Sequence, residues 1–441
     1  MKKTTLAVIV LALALGAWVY YSEFKHPAPE KSTDESKLAF SFTAPDVTAI
    51  EIDRQGQAMH FEKRDGNWVV TRPVSTSADQ STLEGIASSL AAARISRTFS
   101  APAGRLGSYG LASPAVKLEI QLKNGTKHGV QLGDKDYSGI SVFGMVDDSK
   151  DVAVLPESLL VNTDKTLDDL RDRSVLNLDS SQISSFDLKN AAGEIVASKE
   201  GDVWQIAKPR DVRADDGAVS ALFAQVAAAK MTAIEAESAP DLSKYGLANP
   251  ALSFRVKLSK GEERALLVGK KTGDGYFARD TSRPMVFRIS ADFAKKLGEG
   301  FADLRDKSVL HFDPAQLSRL EIRNPSGTIV CVAGKEGKWL VEEPATSKGK
   351  EVQVWKVFDP LSSAKAQEVL DAPPAAIVAK LAKPAVEVTL TDQSGKATKI
   401  AFSAADGESI YARTSAAGAA VYKLPKQTLD DLSFKPADIL F

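Results

Sequence analysis

Short runs in which apolar and polar residues alternate recur along the chain. Ala49-Ile50-Glu51-Ile52 and Leu320-Glu321-Ile322-Arg323 have this period of two, and glycine turns follow at Gly56 and Gly327, with Gly193 in the corresponding place between them. They read as hairpins that lead into a strand carrying a tryptophan. A second group, Val116–Leu122, Leu252–Leu258 and Val386–Leu390, alternates still more cleanly, which predicts one buried and one wetted face. Further short strands are expected around Phe143, Phe277 and Tyr411, and then at Val152–Val154, Val286–Phe287 and Val421–Tyr422. Between the strand groups the spacing changes. After Pro73 and Pro209 come Ala78-Asp79 and Ala214-Asp215, followed by Leu83, Ile86 and Leu90 in one case and Val219, Leu222, Phe223 and Val226 in the other. That spacing is helical, and the aspartate stands where its oxygen can accept orphan backbone N–H groups at the helix start. A closing helix is predicted from roughly Pro156 to Leu170, with equivalents later in the chain. The expected class is α+β, with antiparallel sheets dominant and two helices per unit.

The elements repeat. Trp68, Trp204 and Trp339 lie 136 and 135 residues apart, and Tyr109-Gly110-Leu111 returns 136 residues later as Tyr245-Gly246-Leu247. Only Leu381 and Pro384 of this turn survive in a third copy. Leu170-Arg171-Asp172-Arg173-Ser174-Val175-Leu176 recurs as Leu304-Arg305-Asp306-Lys307-Ser308-Val309-Leu310. In the third copy Thr428–Leu432 matches Thr166–Leu170 letter for letter, but the Arg-Asp pair is gone. Solenoid repeats run roughly 20 to 50 residues and cannot bury a core alone. A period of about 135 residues is domain-sized instead. The expectation is three tandem homologous domains, at residues 38–176, 177–310 and 311–441.

The N-terminus has a different pattern. Lys2 and Lys3 precede Thr4 to Tyr21, an 18-residue run without charge, which as a helix crosses most of a hydrocarbon layer roughly 30 Å thick. Trp18, Tyr20 and Tyr21 would form an interfacial belt. Ala14-Leu15-Gly16 offers small residues for signal cleavage, but apolar and aromatic residues continue through that point, so residues 1–21 are read as one retained transmembrane helix. The two lysines place the N-terminus in the cytoplasm and the bulk of the chain across the inner membrane, in the periplasm. Residues 22–37, polar and carrying Pro27 and Pro29, read as a tether.

Composition narrows the chemistry. Hydrophobic residues make up 44% and charged residues 26%, as in ordinary globular domains. The 56 basic and 57 acidic residues leave a net charge of −1 with no basic stripe, which argues against nucleic acid. Cys331 is the single cysteine, so no intramolecular disulfide can form, and its neighbours Ile329, Val330 and Val332 place it on a buried strand. His26, His60, His128 and His311 are scattered without metal-ligand spacing, and nucleophile elbows, phosphate loops and dinucleotide fingerprints are missing. Asp168-Asp169 and Asp430-Asp431 are adjacent on expected helices and point about 100° apart, unsuited to paired acid–base work. Neither an enzyme nor a cofactor is expected.

The recurrent residues have structural and functional readings. Trp68, Trp204 and Trp339 are core anchors or a ligand platform. Gly110 and Gly246 are glycines because a tight turn requires positive φ, with Tyr109 and Tyr245 as turn residues or binding residues. Arg171-Asp172 and Arg305-Asp306 stand at the seams between units, as salt-bridged joints or as partner-facing charge pairs.

Taken together, the anchor, the Trp strand, the Ala-Asp helix start, the Tyr-Gly-Leu turn and the Arg-Asp segment resemble a bacterial family, domain of unknown function 4340, over nearly all of residues 38–441. The resemblance implies a membrane-anchored envelope protein, often encoded beside ABC-type export components related to those of gliding motility. From this comes the expectation of a periplasmic accessory or scaffold subunit of an envelope ABC-type transport system. Its partners would be the inner membrane and proteins such as an ABC permease and ATPase. The alternative is a periplasmic binding module whose sheet surfaces or inter-repeat grooves accept a lipid, glycan or peptide.

Overall fold

In each repeat two antiparallel meanders meet along their most cleanly alternating strands. The structure, a computed structural model, describes residues 36–102 and 104–441. The expected anchor and the tether up to residue 35 lie outside the described residues, among which no helix is long and apolar enough to cross a membrane. The first sheet contains β1 (Val47–Arg54), β2 (Gln57–Arg64), β3 (Asn67–Arg72), β4 (Thr76–Ser77), β5 (Arg97–Phe99), β6 (Val116–Leu122), β7 (Lys127–Lys135), β8 (Ser141–Val146) and β9 (Val152–Pro156). Their spatial order is β4-β3-β2-β1-β6-β7-β8-β9-β5. The two meanders join where β1 pairs with β6 antiparallel, with Ile50 opposite Ile120 and Ile52 opposite Leu118. On β6, Val116, Leu118, Ile120 and Leu122 are buried while Lys117, Glu119 and Gln121 are exposed. The period-two reading therefore holds, because alternate side chains leave opposite faces of a strand. The second repeat repeats the nine-stranded order, and the third has eight strands, without the short one that corresponds to β4.

One helix per repeat covers the inner sheet face. Gln80–Ala91 buries Leu83, Ile86, Ala87 and Leu90, and Asp79 caps it by accepting the Thr82 N–H at 2.9 Å. Asp216–Ala228 buries Val219, Leu222, Phe223 and Val226, with Asp215 accepting from Gly217 and Ala218. Trp355–Ser363 buries Val357, Phe358 and Leu361. Trp68, Trp204 and Trp339 are buried in the three corresponding cores, which form separate hydrophobic clusters. The peptide bonds preceding Pro73, Pro209 and Pro344 are all cis.

The closing helix differs from expectation. Pro156–Leu170 is not one helix but two, Glu157–Thr163 and Leu167–Leu170, and the second repeat has the same break between Ala291–Lys296 and Phe301–Leu304. The break has a local cause. Thr166 turns its N–H and hydroxyl to the Asp169 carboxylate, a cap that starts a new helix, and in the second repeat the Gly300 N–H donates to Asp303 at 2.8 Å. Among the described residues the first two repeats thus have three α-helical segments rather than two, and the third also has three, because Ala375–Lys380 is added while its closing α-helix is the single segment Gln427–Leu432.

The register of the third copy also needs correction. The carbonyls of Leu170, Leu304 and Ile439 accept the N–H groups of Asp79, Asp215 and Gln353 at 2.9, 2.8 and 2.8 Å. One residue on, Arg171, Arg305 and Leu440 form antiparallel bridges to Ala78, Ala214 and Val352. Leu440-Phe441 therefore occupies the place of the Arg-Asp pair. The matching letters Thr428–Leu432 belong to the helix Gln427–Leu432, which directly follows the strand Val421–Pro425 and corresponds to Glu157–Thr163. A clamp confirms the assignment: the Asn190 amide donates to the carbonyls of Leu297 and Glu299, and the Asn324 amide to those of Leu432 and Phe434.

By contact density the chain falls into two compact units that divide after Arg173. The first holds the first nine-stranded sheet and a two-stranded ribbon of Lys37–Leu38 with Arg94–Ile95; the second, Ser174–Phe441, holds the other nine-stranded sheet and the eight-stranded one.

Candidate functional site

The Tyr-Gly-Leu segments lie against the outer face of the sheets. Gly110 and Gly246 take φ of 69° and 72°, a region that L side chains avoid. Each turn presses its backbone on the backbone of a neighbouring strand. A Cβ on Gly133 would lie 2.1 Å from the Tyr109 carbonyl oxygen, and a Cβ on Gly269 would lie 2.2 Å from that of Tyr245. These two glycines, 136 residues apart, are recurrent positions that the sequence reading passed over. Ser403 follows the strand Ala397–Phe402 at the corresponding place in the third copy, which has lost the Tyr-Gly turn. Tyr109 packs edge-on to Phe99 and Phe143, with centroids 5.3 and 5.0 Å away, and Tyr245 packs on Phe277 at 5.1 Å. These tyrosines thus act as aromatic packing groups on the outer sheet face.

Arg171 is buried and pairs with Asp168 at the end of the first unit, and the Asp172 N–H donates to the Ser77 carbonyl at 2.9 Å. The equivalent Arg305-Asp306 leads into the joint between the second and third repeats. The extended segment here is hydrogen-bonded to both repeats. Asp306 N–H donates to Arg213 O at 2.9 Å in the second, while Val309 N–H donates to Ala364 O at 3.1 Å and Ala366 N–H to Lys307 O at 2.8 Å in the third. Arg305 lies over the Phe301 ring, 5.0 Å from its centroid, and its Nη1 donates to Asp371 Oδ2 at 2.8 Å. Asp306 accepts the Ser308 N–H at 2.9 Å and contacts the His311 ring.

A second tie joins the helix cap to the third repeat. Lys365 Nζ donates to Asp215 Oδ2 at 3.0 Å. Burial pushes the Asp215 carboxyl up, but the Lys365 ammonium and the Ala218 and Gly217 N–H groups outweigh it and hold the pKa below the usual value. A carboxyl with a depressed folded pKa stabilises above its unfolded pKa of about 4 and loses that contribution as pH falls through the folded value. Asp215→Asn should therefore narrow the difference in stability between pH 7 and strongly acid solution. Urea midpoints of both forms across that range test this, and parallel curves would contradict it.

Beside the joint lies a cleft of about 730 Å³, lined by Arg210, Arg213, Arg305, His311, Asp371 and Tyr422 and by residues of the small-residue loop 414–420. Burial raises the Tyr422 hydroxyl pKa, so it remains a neutral donor. A second groove, of about 530 Å³, lies on the first sheet. There Lys127 pairs with Glu119 at 2.6 Å and the His128 ring meets the Asp147 carboxylate at 3.2 Å. Cys331 is fully buried, and burial raises its thiol to about 11, which leaves it a small hydrophobe rather than a nucleophile. Among the described residues no group of three His, Cys, Asp or Glu side chains is placed to hold a metal ion.

Neither Asp371, Lys365 nor Arg210 was picked out from the sequence. Asp371 is 66 residues from Arg305 and Lys365 is 150 from Asp215, and no local pattern marks such pairs.

No curated protein matches the chain. A family model described as a domain of unknown function, DUF4340, matches residues 68–203 and again 204–379, so that the two matches begin at the first and second of the recurrent tryptophans. The double match agrees with the tandem sheets, and the chain belongs to the family of domain of unknown function 4340.

Proposed function

We propose that the chain is a non-enzymatic accessory or scaffold subunit of an envelope ABC-type transport system, anchored in the inner membrane by residues 1–21 with its sheet domains in the periplasm. The observation that carries this reading is the stitched joint. Backbone hydrogen bonds on both sides of residues 306–309, together with the Arg305–Asp371 and Lys365–Asp215 pairs, unite two repeats in one compact unit. A joint built this way holds surfaces in register over a distance, which is the work of a scaffold. The way apolar surface is used supports the same reading. Each repeat encloses its tryptophan in its own core, under a helix that spends its apolar face on the sheet.

The partners proposed are a membrane permease and its ATPase. A mild-detergent pull-down of the full-length protein from its native membranes, with mass spectrometry of the co-purifying proteins and of the bait's N-terminus, tests this. Recovery of a permease and ATPase with residues 1–21 intact is the expected result. A clipped bait that arrives alone would overturn the reading.

A further inference from the structure

The cleft beside the joint holds a guanidinium that is held only by a loose ion pair. Arg305 is nine-tenths buried and bonded to Asp371 Oδ2, and Arg213 is bonded to Asp216 at 2.8 Å, with Asp306 at 4.0 Å. The Asp211 carboxylate accepts the Gln205 amide at 2.7 Å. Arg210 has only Asp371 Oδ2, 3.6 Å away and already taken by Arg305, and it makes no hydrogen bond among the described residues. Its side chain is 55% exposed, with the planar fork free to meet a ligand.

The loop that also lines the cleft offers donors of another kind. The loop runs Ser415-Ala416-Ala417-Gly418-Ala419-Ala420, and Gly418 turns it at φ of 62°. Arg413 Nε holds the Gly418 carbonyl at 3.4 Å. The N–H groups of Gly418 and Ala419 have no acceptor among the described residues, and methyl-sized neighbours leave that backbone open to close approach. Successive backbone N–H groups of this sort form concavities that favour anions.

We propose that this cleft binds an oxyanion group, phosphate or carboxylate, with the Arg210 fork as its main ionic contact and the Gly418–Ala419 N–H groups as further donors. A cleft of about 730 Å³ admits a small molecule bearing such a group. Fork-shaped guanidinium donors match both oxyanions in two-point geometry, which a point charge does not. The assignment stands apart from the transport reading, since a failed pull-down leaves the cleft unchanged.

The test uses the full-length protein in mild detergent, titrated with sodium phosphate or sodium acetate against sodium chloride at equal ionic strength, with the unfolding midpoint as readout. Arg210→Gln is the test variant, because Arg210 is half-exposed and makes no hydrogen bond to lose; far-UV circular dichroism checks its fold. Phosphate strengthens burial in any protein by exclusion from its surface, so the informative quantity is the difference between wild type and variant. The expected result is a saturable rise in wild type with phosphate, acetate or both, and an apparent affinity about tenfold weaker in Arg210→Gln. Response to phosphate alone identifies a phosphate site, and response to acetate as well identifies a general oxyanion site. An equal response in wild type and variant, or no saturable response to either anion, overturns the proposal.

Discussion

Replacing Trp204 with alanine is expected to destabilise the second compact unit by about 3–5 kcal/mol. The indole sits on the strand Val203–Lys208 and is 7% exposed. It packs against Phe186 and Phe223 at centroid distances of 5.7 and 5.3 Å, and those two rings meet edge-to-face at 5.5 Å. Removing it leaves a cavity with aromatic walls. One wall belongs to the helix Asp216–Ala228 and the other to the sheet strand Ile183–Asn190, so neither can move inward without giving up other contacts. Its backbone N–H also donates to Asp216 at 3.1 Å, and the Asp216 carboxylate holds Arg213. Alanine keeps that N–H, so the helix start stays tied and the expected loss is that of the indole's packing alone. Urea denaturation followed by hydrogen exchange, to assign the loss to residues 183–305, is the measurement. A wild-type midpoint would remove Trp204 from the core and reopen the ligand-platform reading.

Gly269→Ala is the second large effect, at about 3 kcal/mol or more. The added methyl would stand 2.2 Å from the Tyr245 carbonyl oxygen and 3.0 Å from the Gly246 carbonyl carbon. Both obstacles are backbone, so no side-chain rotation relieves the clash; either the turn or the strand Glu263–Thr272 must move. Displacing the turn uncovers the small cluster of Tyr245, Leu247 and Val286. Loss of hydrogen-exchange protection across residues 242–247 should accompany the fall in stability. A fully stable variant with an undisturbed turn would show that the turn is not seated on this glycine. The third copy illustrates the same physics from the other side, since Ser403 carries a side chain where no Tyr-Gly turn presses on the strand. The Ser403 hydroxyl instead accepts the Tyr411 N–H at 3.0 Å.

Much of this architecture was legible in the residues because it is written locally. Alternation on Val116–Leu122 predicted a half-buried strand, and the spacing of Leu83, Ile86 and Leu90 predicted the covering helix. Asp79 and Asp215 marked helix starts, and Gly110 and Gly246 marked turns of positive φ. The errors were also local in origin. The identical letters of Thr428–Leu432 and Thr166–Leu170 outweighed the period of about 135 residues, which would have pointed to Leu440-Phe441 as the partner of Arg305-Asp306. Hydrogen-bond partners settle such a register and letter identity does not, because a bridge position is defined by what lies across from it.

By itself the sequence determined the tandem repeat, the family, the sheet-rich α+β class and the tryptophan-carrying strands, since side-chain periodicity and a recurring period need no third dimension. Only the tertiary structure decided the rest: the break in the closing helix, the seating of the turns on Gly133 and Gly269, the ties from Arg305 to Asp371 and from Asp215 to Lys365, and the cleft with its loosely paired Arg210. These depend on groups brought together from distant parts of the chain. A carboxylate 66 or 150 residues from its cation leaves no periodic trace, and the pairing exists only once both sheets have folded and the segment between them is hydrogen-bonded to each.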